Sequence, residues 1–184
     1  VLAPADWSGL SLAVGVALAE ALHPRVRLKW PNDLWLMSDE APAPTAVGRK
    51  LGGVLIETLP LPGGARYAVV GVGLNLAIPP ARPGLPEAVA GWRELEPLAR
   101  APDLLVRLAT PLLSGLMAFE RDGFAAFATR FAARDALLGR TVRTTQLGAE
   151  EGEALGVDAQ GALRVRTAGG EQRIGSGEVS VRPC

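Results

Sequence analysis

The run LSLAVGVALAEAL, from Leu10 to Leu22, carries a single charge, Glu20, and no polar stripe on which a helix could meet water. A helix that is apolar nearly all round has to be buried, so this segment commits the chain to a fold with a sheet or other helices to receive it. A bilayer crossing needs roughly 20 apolar residues; the run is shorter and is closed by His23-Pro24, which predicts a core helix and no membrane span. Asp6 or Ser8 is placed to cap its start. With 184 residues and 48% hydrophobic content, the chain suits one globular domain, or a domain with a small appendage.

Strand periodicity follows at once. RVRLKW turns Val26, Leu28 and Trp30 to one face and Arg25, Arg27 and Lys29 to the other, the period of a half-buried strand that Pro31 ends. LWLM predicts a second short strand, and the loop SDEAPAPTAVG, with Pro42 and Pro44, separates it from the next. KLGGVLIETL and RYAVVGVGLNLAI predict a hairpin turning around Pro60 to Gly64, at the centre of the sheet. After the Pro-rich stretch 79–86, helical patterns run from about Asp103 to Ala136, with Pro111 kinking the first helix and Gly123 separating it from FAAFATRFAA. These helices are expected to cover one face of the sheet. From Gly139 the texture changes to short Val/Thr-rich runs punctuated by glycine, the pattern of a small antiparallel barrel. The expected class is α/β (α+β): a mixed sheet flanked by helices in residues 1–138, then a barrel in residues 139–184. That second unit falls below the ~70 to 80 residues at which a core becomes self-sufficient, so it is expected to pack on the first.

Charge and rare residues exclude several functions. The formal net charge is zero and no Lys/Arg cluster stands out, which argues against nucleic acid and favours small molecules and carrier proteins as partners. Cys184 and His23 are the sole residues of their types, so disulfides, Cys/His metal sites and histidine triads find no support, and a cytoplasmic location fits. No basic region precedes the first helix as in a signal peptide, and the start at Val1 is expected to mark a fragment.

The chemistry concentrates in VVGVGLNL. Gly71, Gly73 and Asn75 recur every second residue, so a strand turns all of them to one face. Each strand-interior glycine costs roughly 0.5 to 1 kcal/mol relative to alanine, a loss that makes sense where a flat ligand needs the space. Gly52-Gly53 clears more room on the neighbouring strand, and the Asn75 amide can read a base or a ureido edge. A helix packed on bare backbone, or a bulge, satisfies the same pattern; the glycines on the partner strand favour a pocket. GVGLN lacks a third glycine and runs into Ile78-Pro79-Pro80, and GRKLGG lacks the Lys-Ser/Thr pair, so neither a dinucleotide fingerprint nor a phosphate loop is present. Lys50 precedes the glycine slot, where a cation meets an anionic ligand group, and Lys29 with Asn32-Asp33 offers a second polar cluster. Solvated lysines and an Asn-Asp turn are the plain alternative; adjacency to the slot sets Lys50 apart.

KWPNDL, RKLGGVLIE and VVGVGLNL, in that order, resemble the central catalytic region of biotin–protein ligases. GLSLAVGVALAEAL resembles the family's helix before the lysine-tryptophan strand, and GVDAQGALRVRT with GEVSVR resembles its C-terminal SH3-like domain, so the likeness covers essentially the whole chain. The resemblance implies an α/β domain with a small SH3-like β-barrel and a two-step reaction. Biotin and ATP form biotinyl-5′-AMP, and a lysine on the biotin carrier domain of a carboxylase then attacks it. It implies Lys50 as the catalytic lysine, with Lys50, Gly52, Gly53, Val54, Leu55, Gly71 and Gly73 around biotin. Lys29, Trp30, Asn32, Asp33, Asn75 and Arg182 fall to ATP or the adenylate, Asp33 also to Mg2+, and a homodimer is a possible assembly. The family's glycine- and arginine-rich loop and its occasional N-terminal helix-turn-helix have no counterpart in these residues, so the chain alone is expected to be catalytically incomplete and to bind no nucleic acid. A lipoate-type acyl-adenylating ligase and a non-catalytic binding or dimerisation relative are the alternatives.

Overall fold

The computed structural model describes residues 2–38, 48–78, 88–175 and 181–183. The apolar run forms helix α1 (Leu10–Leu22), with Val16, Leu18 and Ala19 fully buried. Its N-cap is Gly9, without a side-chain cap. Asp6 Oδ1 instead accepts the Ser8 N–H at 2.9 Å, so neither expected residue caps the helix. Close packing accounts for the substitution, because a Cβ on Gly9 would lie 2.6 Å from Phe124 Cγ.

The first sheet has the order β1 (Val26–Lys29), β2 (Asp33–Met37), β3 (Gly48–Pro60), β4 (Arg66–Leu74). All its ladders are antiparallel, and two isolated bridges, Leu28 with Asp135 and Lys50 with Val89, supply the parallel component. The β3–β4 hairpin forms around Pro62–Gly64 as predicted. Its place differs, since β4 is the outer strand and not the centre. On the outer side of β4, the pairing among the described residues is a bridge from Leu2 to Arg66. Side chains alternate as the pleat requires: Val54, Ile56, Val70 and Val72 turn to the core, while Leu55, Val69 and Tyr67 are exposed on the opposite face.

Helix α1 covers the core face, and α2 (Ala101–Asp122) packs mainly on α1 and not on the strands. Helix α2 runs through Pro111 as one element: the missing N–H removes one helical bond without ending the helix. Among the described helices, α2 is long and apolar enough by composition to cross a membrane; Leu104, Leu108 and Phe119 are buried within the protein, while Leu105, Val106, Leu113 and Met117 are exposed. Gly123, at φ 64°, closes α2 and leads into α3 (Ala128–Ala132).

The second sheet has the order β8 (Gly170–Ile174), β7 (Leu163–Thr167), β6 (Glu151–Val157), β5 (Thr141–Thr144), β9 (Val181–Pro183), antiparallel throughout. Val142, Leu163, Val165 and Ile174 are buried and join a core continuous with that of the first sheet. The stretch 79–86 and the loop holding Pro42 and Pro44 lie outside the described residues.

Candidate active site

The antiparallel register lines up Lys29 with Asp33, Asp33 with Gly53, and Gly53 with Gly73, a single row across all the strands of the first sheet. Residues paired across a ladder share a face, so this row brings the lysine-tryptophan strand and the glycine slot onto one surface. Leu55 and Gly71 form the next pair on that face. Leu55 and both hairpin glycines are exposed, and a Cβ built on Gly73 would meet Gly53 O at 3.9 Å and nothing nearer. Among the described residues the strip is open at Gly71 and Gly73, as the spacing predicts, while at Gly53 a Cβ would meet Asp33 Oδ1 at 3.4 Å.

Lys50 reaches this surface through an irregularity. Three residues before Gly53, it would project to the opposite face of a regular strand. The register shifts between Leu34 and Trp35, so that Gly52 faces Leu34 and Lys50 faces Trp35. Leu51 is the extra residue of a bulge, which puts Lys50 on the Gly53 side. Its Nζ lies 2.7 Å from Asp33 Oδ1, and Lys29 Nζ lies 3.2 Å from Asp33 Oδ2. The side chains of Lys29 and Asp33 are 6% and 9% exposed, that of Lys50 40%. One carboxylate thus holds two ammonium groups, of which Lys50 alone is accessible to a ligand on the strip. Lys29 also sits 5.5 Å from the Trp35 ring centroid, as an interior support and not at an open phosphate position.

Other expected site residues serve different ends. Both oxygens of Asp33 face ammonium groups, so its carboxylate is already engaged by Lys50 and Lys29 and neither oxygen stands open as the expected magnesium position. Trp30 is fully buried and its Nε1 donates to Gly161 O at 3.0 Å, which removes it from any nucleotide surface. Asn32 Nδ2 donates to Val54 O at 2.8 Å while Val54 N donates to Asn32 O, so this residue ties the β1–β2 turn to β3. Val54 itself is in the core. Gly52 is a close-approach glycine, since a Cβ there would lie 2.1 Å from Gly73 O. Asn75 Nδ2 donates to Lys50 O and Ala90 O at 3.4 and 3.2 Å, leaving Oδ1 as the atom able to meet a ligand. Arg182 lies exposed on β9 opposite Arg143, and no described hydrogen bond or ion pair joins it to the Lys29–Asp33–Lys50 cluster.

Comparison with known proteins supplies the context. The model of the biotin protein ligase C terminal domain matches residues 137–182. The biotin--[acetyl-CoA-carboxylase] ligase of Paracoccus denitrificans is 30% identical over 97% of this chain, which covers 70% of that protein. The chain belongs to the biotin protein ligase family. The Bifunctional ligase/repressor BirA of Salmonella typhimurium is 32% identical over 97% of the chain, and that of Escherichia coli 34%. The chain spans 55% and 54% of those two relatives, about half their length. The solved biotin protein ligase from Aquifex aeolicus in complex with biotin and ATP shares the fold, with a TM-score of 0.77, 23% identity and coverage of 98% of this chain and 73% of that one.

Within this biotin protein ligase fold, two features escape sequence reading. One is the Leu51 bulge, whose signal was the glycine pair directly after Lys50-Leu51. The other is the segment around Val89, which runs beside Lys50 through Lys50 N to Ala88 O and Ala90 N to Lys50 O, both 2.9 Å. No motif marks it.

Proposed function

We propose that a protein carrying this chain activates biotin with ATP to biotinyl-5′-AMP and transfers the biotin to a lysine of a biotin carrier domain of a carboxylase, in the cytoplasm. The observation that carries this reading is the exposed Lys50 ammonium, held by Asp33 beside the glycine strip of Gly53, Gly71 and Gly73.

In the first step a biotin carboxylate oxygen bonds to the α-phosphorus of ATP and the bond to pyrophosphate breaks. Two anions must meet, and negative charge builds on the phosphoryl oxygens. A fixed cation offsets both costs. Lys29 and Lys50 with Asp33 sum to one positive charge, and Lys50 is the exposed ammonium of the three. The bare backbone of the strip admits a flat bicyclic ring, and Asn75 Oδ1 offers an acceptor at its end. Magnesium enters with ATP, as part of that substrate. In the second step the neutral amine of the acceptor lysine bonds to the acyl carbon, AMP leaves, and the amine loses a proton.

In a full-length protein carrying this sequence, Lys50→Ala is expected to lower biotin-dependent pyrophosphate release at least tenfold with an unchanged circular-dichroism spectrum, as loss of one charge-stabilising donor costs about 10²-fold or more. Wild-type release in the variant would remove Lys50 from the chemistry. Lipoate competing as well as biotin would move the assignment to a lipoate-type ligase.

A further inference from the structure

The Asp158–Ala162 turn of the second sheet reaches the candidate site from behind. Asp158 Oδ1 accepts the N–H groups of Gln160 and Ala162 at 2.8 and 2.9 Å, and Gly161 N donates to Asp158 O at 3.0 Å, so the turn holds its own shape. Gly161 has φ +79°, and a Cβ there would lie 3.0 Å from Gly9 Cα and from Leu12 Cδ1, so the turn can rest on the start of α1 only through a glycine. From that position Gly161 O accepts the buried Trp30 Nε1–H. Trp30 leads directly into Pro31, Asn32 and Asp33. Ser11 Oγ donates to Pro31 O at 3.3 Å and Asn32 is paired with Val54, so each residue from Trp30 to Asp33 is tied to another part of the fold: Trp30 to the Asp158–Ala162 turn, Pro31 to α1, Asn32 to β3, and Asp33 to Lys29 on β1 and Lys50 on β3.

We propose, on the basis of the ligase function inferred above, that Trp30 and the Asp158–Ala162 turn form a strut by which the second sheet positions Asp33, and through Asp33 the Lys50 ammonium, at the ligand face. Trp30 is then a positioning residue that touches no substrate. An indole held at both ring and N–H fixes the backbone leading into Asp33 more tightly than apolar packing alone, because the hydrogen bond sets the ring's orientation as well as its depth. A donor lost here also leaves Gly161 O buried without a partner. The second sheet therefore acts on the reaction without contributing an atom to it.

Trp30→Phe keeps the apolar ring and deletes the donor. In the full-length protein it is expected to lower kcat for pyrophosphate release at least fivefold, measured well below its melting temperature, with KM for biotin changed less than twofold. In a Lys50→Ala background the same substitution is expected to cost less than twofold, because its effect passes through that lysine. Lys50 labelling by acetic anhydride, mapped by mass spectrometry on the present chain, is expected to be at least threefold faster in Trp30→Phe, as the ammonium leaves Asp33. Asp158→Ala, which loosens the turn without touching Trp30, is expected to change labelling and kcat in the same direction, and keeps the question open to test should Trp30→Phe fail to fold. A variant with a lowered melting temperature but wild-type kcat and wild-type Lys50 labelling would overturn the strut. If the wild-type protein releases no pyrophosphate, the ligase function falls, and Lys50 labelling alone decides the strut.

Discussion

Gly52 and Gly73 lie on adjacent strands a single register position apart, yet opposite constraints act on them. Backbone fills the space where a Gly52 side chain would stand, and a Cβ there would come within 2.1 Å of a carbonyl oxygen that cannot yield without breaking the ladder. At Gly73 the space is open, and a β-branched residue suits the strand. Gly52→Ala is therefore expected to lower the melting temperature sharply, or to prevent folding. Gly73→Val is expected to fold and to weaken biotin binding at least tenfold while leaving ATP affinity within threefold, as calorimetry on a full-length protein would measure. Unchanged biotin affinity in a folded Gly73→Val variant would mean that the strip serves packing and the ligand lies elsewhere.

The connection from α3 to β5 is an element in its own right, because it pairs with the first sheet before entering the second. Leu28 N donates to Arg134 O and Ala136 N to Leu28 O, at 2.8 and 2.9 Å. Between them Asp135 is turned inward: Oδ1 accepts the Leu137 N–H at 2.8 Å, and Oδ2 is buried without a hydrogen-bond partner. Burial raises this carboxyl from 3.8 to about 6, outweighing the backbone donors of Leu137 and Leu138. A carboxyl raised by folding binds its proton more tightly in the folded state than in the unfolded one. Its contribution is therefore fully present below the unfolded value of 3.8 and is lost as pH rises through about 6. The displacement corresponds to on the order of 2–3 kcal/mol. Asp135→Asn keeps an acceptor for Leu137 and abolishes the charge. It is expected to raise the melting temperature above wild type at pH 7.5 and to match it near pH 4; an equal difference at both pH values would mean that folding does not shift this carboxyl.

At the scale of the whole molecule, the described residues leave apolar surface uncovered on two sides. Leu55, Leu59, Tyr67 and Val69 stand 65%, 60%, 51% and 54% exposed on the open face of the hairpin. A second apolar surface is on α2, where Leu105, Val106, Leu113 and Met117 are exposed, with Leu105 also bordering the cleft between α2 and β4. Contiguous apolar surface next to a strand edge that, among the described residues, carries just the Leu2–Arg66 bridge promotes self-association. The chain also spans about half of its BirA relatives. Expressed by itself it is expected to self-associate at micromolar concentration, visible by light scattering, and to show little or no turnover with biotin, magnesium-ATP and an acceptor carrier domain. A rate near that of a full-length ligase would show that the uncovered strip suffices for catalysis.

Local pattern was enough to read the buried helix, the hairpin, the glycine-strewn second sheet and the shared face of Gly71 and Gly73, because a period of two or of 3.6 residues is written in consecutive positions. The nearness of Lys50 to the strip was legible as well. Its direction was not: an unbroken strand turns Lys50 away from Gly53, and the Leu51 bulge that reverses this depends on how β2 and β3 register. Likewise Trp30 and Asn32 enter the site through the family resemblance and Asn75 through its amide, and nothing local says that Gly161 O, Val54 O and Ala90 O already receive their N–H groups, which leaves Oδ1 as the atom of Asn75 able to meet a ligand. Those partners come from other elements, up to 131 positions away along the chain. Periodicity determined which residues line a face; only tertiary packing decided which polar groups on it remain available, because a hydrogen bond between distant segments leaves no trace in the spacing of either.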